Sequence, residues 1–164
     1  MSEEKSEIIE EGQNDLDPMM FVVPRLEGLM DILDKLGMSS ELMLNSQDVP
    51  FLTGEKKNGT ITYFTYIPFD LENDGQFVLQ MSRILKDGNE DIETSLIDIA
   101  SFNLESGFGF AVQDPISGDI VLRAQVPEKG GVEYEWYEYI FEMFEDACIS
   151  LLDLLESNDI AEVD

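Results

Sequence analysis

From Val132 to Glu156 the chain contains neither glycine nor proline, and its apolar residues recur at three- and four-residue spacing. Such a run folds as a long amphipathic helix, because residues three and four apart lie on the same helix face. The apolar set is too wide for a single face. Tyr137, Ile140, Phe141, Phe144, Cys148, Leu151 and Leu155 line one stripe, while Trp136, Tyr139, Met143, Ala147 and Leu154 extend around a second. A helix packed on one sheet needs only one stripe. The surplus predicts deep burial or a partner surface.

The remaining elements follow from periodicity and turn residues. Leu26, Leu29, Met30, Leu33 and Leu36 predict a first helix over about 24–36, with Pro24 suited to its first turn and Gly37 to its C-terminal stop. Residues 38–58 are a mixed linker, with Val49–Leu52 a short edge strand and Gly54 to Gly59 a turn. Thr60 to Ile67 consists of β-formers, Asp70 to Gly75 turns the chain, and Gln76 to Ile84 returns antiparallel. A second helix is expected over about 91–104, then a hairpin of Phe108–Val112 and Asp119–Val126 around Asp114–Gly118. The order α-β-β-β-α-β-β-α defines an α+β fold: an antiparallel sheet with a helix at each end and one in the middle.

A chain of 164 residues suits one domain. Its 36 acids and 9 bases give a net charge of -27, of which residues 1–24 hold -6, residues 25–129 hold -10 and residues 130–164 hold -11. Residues 1–17 are too charged and too poor in apolar groups to offset their ordering entropy, so they are expected to form a disordered acidic tail. Residues 18–157 form the domain, and 158–164 a second acidic tail. This charge repels nucleic acid and anionic membranes. Met19 to Val23 is too short to span a bilayer, and no signal-peptide pattern precedes it. The single cysteine forbids an internal disulfide and suits the cytoplasm.

Enzymatic chemistry finds little support. The absence of histidine removes the Ser-His and Cys-His nucleophiles and the imidazole zinc sites. Asp70–Gly75 imitates the first half of a calcium loop, but the twelfth position is Met81 where a glutamate is required. Gly107-Phe108-Gly109 lacks the third glycine and the strand-then-helix context of a dinucleotide site. Cys148, among Phe144, Ile149 and Leu152 with acids nearby, reads as an inert core thiol. Pairs such as Glu133 with Glu135 and Glu145 with Asp146 arise from composition alone. Neither catalytic activity, nor a cofactor, nor a metal is expected.

Residues 95–127, SLIDIASFNLESGFGFAVQDPISGDIVLRAQVP, carry a family resemblance: a short helix ending in a small-residue segment, a strand, an Asp/Pro/Gly turn, and an Ile-Val-Leu-Arg strand closed by proline. With the leucine-rich first helix and the acidic, aromatic last helix, this pattern resembles the class I type III secretion chaperones and the YbjN-like bacterial regulators. The acidic tail and the linker at 38–58 depart from a minimal secretion chaperone. The resemblance implies a cytoplasmic, homodimeric, non-enzymatic protein that holds a segment of another protein. Leu26, Leu29 and Leu33 on the first helix, with Phe64, Tyr66, Phe77 and Leu79 on the sheet, would form the partner-binding surface. The competing reading makes these residues core beneath the last helix. Ile92, Leu96, Ile99 and Phe102 would form the dimer interface, or pack within one subunit. Two other functions remain open: a polyanionic mimic of nucleic acid and a weak divalent-metal binder.

Overall fold

A computed structural model describes residues 19–70, 76–88, 92–128 and 133–163. Three helices and six strands occur among them, in the order α1 (Met19–Lys35), β1 (Ser39–Leu44), β2 (Pro50–Glu55), β3 (Ile61–Asp70), β4 (Gln76–Lys86), α2 (Ile92–Glu105), β5 (Phe110–Gln113), β6 (Ile120–Glu128) and α3 (Tyr134–Val163). The strands form one antiparallel sheet ordered β1-β2-β3-β4-β6-β5. The last two exchange places because the chain passes through α2 to the sheet edge before its final hairpin returns beside β4.

The α+β class is that read from the residues, with one strand more. Ser39–Leu44, expected in the linker, pairs with Pro50–Glu55 as the edge strand β1. The turn between them is held by the Asn45 side-chain oxygen, which accepts from the Gln47 and Val49 backbone N–H groups at 2.8 and 3.0 Å. Gly54, expected to open a turn, lies within β2. A Cβ there would stand 2.8 Å from Phe64 Cε2, so the close approach of that ring requires glycine. Pro24 lies inside α1 rather than in its first turn. Val22 extends the stripe of Leu26, Leu29 and Leu33 to the N-terminal side of the proline, and that packing offsets one missing backbone hydrogen bond. The backbone of α3 stays helical to Val163, past Glu156, where the closing helix was expected to end. The expected tail at 1–17 and most of the Asp70–Gly75 turn lie outside the described residues.

Alternation along the strands separates the two faces. Leu52, Phe64, Tyr66, Phe77, Leu79, Met81, Ile120, Leu122 and Ala124 point into one core cluster with the buried residues of all three helices. From α3 that cluster takes Tyr137, Ile140, Phe141, Phe144, Cys148, Leu151 and Leu155, the complete first stripe. The alternate strand residues face away from the helices.

Candidate functional site

Two polar clusters fasten the helices to the sheet. Arg83, from β4, donates to Thr62 Oγ1 at 2.7 and 3.1 Å and to both Glu145 carboxylate oxygens at 2.5 and 3.0 Å. Lys56 Nζ reaches the same carboxylate at 2.5 Å. Burial would raise the Glu145 pKa, but hydrogen bonds from Arg83 and Lys56 outweigh it and hold the carboxyl at about 2. Burial pushes the neighbouring Cys148 thiol up to about 11, which keeps it protonated and unreactive at neutral pH. In the second cluster, Glu128 Oε1 accepts from Tyr137 Oη at 2.7 Å and from Arg25 at 3.2 Å. The Arg25 guanidinium lies 4.0 Å from the centroid of the Phe77 ring. Burial raises both Tyr66 and Tyr137, reinforced by the Glu128 carboxylate, so both phenols remain protonated. These groups are engaged chiefly with one another. Their arrangement is suited to anchoring elements.

One accessible apolar surface lies elsewhere, on the sheet face opposite the helices. Cross-strand pairing sets Met43 beside Phe51, Tyr63 beside Ser82, Ile84 beside Val121, Val121 beside Val112, and Ile67 beside Val78. Phe51 and Tyr63 are in tilted ring contact at 6.1 Å. The β1–β2 turn overhangs this face, and Asn45 and Val49 enclose with Phe51, Tyr63, Thr65, Gln80 and Ser82 a recess of about 240 Å³. Arg123 lies on the same face between Ser82 and Phe110, and its buried Nε has no hydrogen-bond partner among the described residues.

The seven residues expected to contact a partner are all buried in the core: Leu26, Leu29, Leu33, Phe64, Tyr66, Phe77 and Leu79 are no more than 4% exposed. On each strand their sequence neighbours are the accessible ones. The two faces differ by a single step of the alternation, which the residue types on β3 do not distinguish, since both faces carry aromatic side chains.

On α2, Ile99 and Phe102 turn into the core and Leu96 is half-exposed, while the side chain of Ile92 lies outside the described residues. Ile97 and Leu104, at 68% and 88% exposed, were not among the expected interface residues. They complete an outward apolar stripe with Leu96 and Ala100 at spacings of three and four. Asn103, at the margin of this stripe, ties the helix to β5 by bonding both the N–H and the carbonyl of Ala111, at 2.7 and 2.9 Å.

The second stripe of α3 is only partly covered. Met143, Ala147 and Leu154 line an open groove of about 580 Å³ with Phe102, Glu105, Gly107, Phe108, Asp146 and Ser150. Among the described residues no three His, Cys, Asp or Glu side chains are grouped to hold a metal ion, and no helix is long and apolar enough to cross a membrane.

The six-stranded antiparallel sheet carries its helices on one face, an α+β arrangement consistent with a YbjN-like fold. The crystal structure of YbjN from E. coli, described as a candidate transcription regulator, superposes with a TM-score of 0.50 at 18% sequence identity, over 81% of this chain and 93% of that one. At that identity the likeness concerns the fold. No protein-family model and no curated protein matches the chain.

Proposed function

We propose that this chain is a non-enzymatic protein-binding module, chaperone-like or regulatory, that holds an apolar segment of another protein against the open face of its sheet. The observation that carries this reading is the row of Met43, Phe51, Tyr63, Ile84, Val121 and Phe110, which crosses the sheet with no helix over it among the described residues. The Leu26, Leu29, Leu33, Phe64, Tyr66, Phe77 and Leu79 set would join such binding only if a helix lifted from the sheet. The same reading includes a cytoplasmic homodimer formed through α2, whose exposed Leu96, Ile97 and Leu104 would be covered by the second subunit.

The test is capture of partners by immobilised full-length protein at low and high salt, for the native chain and for a Tyr63→Glu, Ile84→Glu double variant. Apolar contacts survive screening, so partners should persist at high salt on the native chain and be lost from the variant. Equal capture by both proteins, or loss of all partners at high salt, would count against the sheet face.

A further inference from the structure

The groove beside α3 combines two properties. Its floor is apolar and adaptable, built from Phe102, Phe108, Met143 and Leu154. Its rim is acidic, with Glu105 and Asp146 exposed and without an ion-pair partner among the described residues. The groove exists because α2 ends at Glu105 and the chain turns through Ser106–Phe108 towards β5, leaving Met143 and Leu154 only half-covered. Its volume lies within the range of about 300–1,000 Å³ that encloses apolar ligand groups.

We propose that this groove is a docking site for a basic amphipathic segment of another protein, with apolar side chains seated on Met143, Phe102, Phe108 and Leu154 and lysines or arginines against Glu105 and Asp146. The inference rests on the protein-binding reading but assigns it a second surface and a partner chemistry. Charge selects the occupant. Residues 130–164 contain no lysine or arginine, and Glu135, Glu138 and Glu142 lie exposed along the preceding turns of α3. An approaching basic segment is attracted over several turns of helix before any apolar contact forms. A second copy of this chain is poorly suited, because it has only 9 bases and Arg25, Lys56 and Arg83 already bond to Glu128 or Glu145. Acidic segments and anionic lipids are repelled by the same field.

The experiment uses the full-length chain and a labelled synthetic peptide of about four helical turns, with leucines at three- and four-residue spacing and lysines between them. Fluorescence anisotropy should show saturable binding. An Asp146→Lys, Ser150→Lys variant, altered at two exposed groove positions, should weaken it by about tenfold or more. Gly107→Lys, where an added Cβ meets no atom within 4 Å, should do the same with the circular dichroism spectrum unchanged. Ile84→Glu on the sheet face should leave peptide affinity unaltered, so failure at the groove is separable from failure of the sheet-face reading. Replacing the peptide lysines by glutamate, or its leucines by serine, should abolish binding. The proposal is overturned if the native chain does not bind the peptide, if the groove variants bind it equally well, or if the leucine-free peptide binds as tightly, which would indicate charge mimicry. A change of oligomeric state in the groove variants would assign the surface to a second copy instead.

Discussion

Arg83 and Glu145 join the middle of the sheet to α3, and two predictions follow from their surroundings. Arg83→Met should cost about 2–3 kcal/mol in urea unfolding, less than the roughly 3–5 kcal/mol of a fully buried broken pair, because Glu145 is partly exposed and keeps Lys56. Glu145 has a folded pKa of about 2 against an ordinary 4.5, so its contribution is present above 4.5 and disappears as pH falls through about 2. Glu145→Gln should therefore flatten the stability profile between those limits, measured by denaturant midpoints at successive pH values. Gly88 allows a different kind of test. Its N–H donates to Asp119 Oδ1 at 2.9 Å, and an added Cβ would collide with the Ser117 carbonyl oxygen. Gly88→Ala should destabilise the protein by about 1–3 kcal/mol, and an unchanged melting curve would contradict this packing. Part of the buried set was legible at this scale, since Leu26, Leu29 and Leu33 of the α1 stripe and each residue of the first α3 stripe lie in the core, with Leu36 packed at its margin. Arg83 gave no such signal in the sequence, because nothing local reveals that its partner lies 62 positions away.

At the level of elements, α2 and α3 differ in how their apolar residues are used. Leu151, fully buried beneath α3, should cost about 2–5 kcal/mol when truncated to alanine, as expected for a large core side chain. Ile97→Glu combined with Leu104→Glu should change monomer stability by no more than about 0.5 kcal/mol per site, since both side chains are exposed. The same pair should convert a dimer to a monomer in light scattering, and a dimer that persists would remove α2 from the interface. The helices were legible because their period is long and their stripes are wide. Strand β1 was not, because an edge strand with one neighbour and little burial has no need of apolar alternation. The partner-binding face was hidden for a related reason. Phe64 and Tyr63 are both aromatic β-formers, and only the position of the helices makes one of them core and the other surface.

For the whole molecule, a net charge of -27 opposes compaction through self-repulsion. Raising the salt concentration from about 0.02 to 0.5 M should therefore increase the melting temperature, and an unchanged or lowered value would mean that attractive pairs dominate. The sequence by itself determined the α+β class, the antiparallel pairing of the β3–β4 and β5–β6 hairpins, the core stripes of α1 and α3, and the lack of histidine chemistry. These are properties of local period, turn residues and composition. The tertiary structure alone decided which sheet face is covered, that a sixth strand lies at the edge, and that the second stripe of α3 borders an acid-rimmed groove rather than solid core. Those features depend on where α2 ends and how three helices share one face, distances set by residues far apart in the chain.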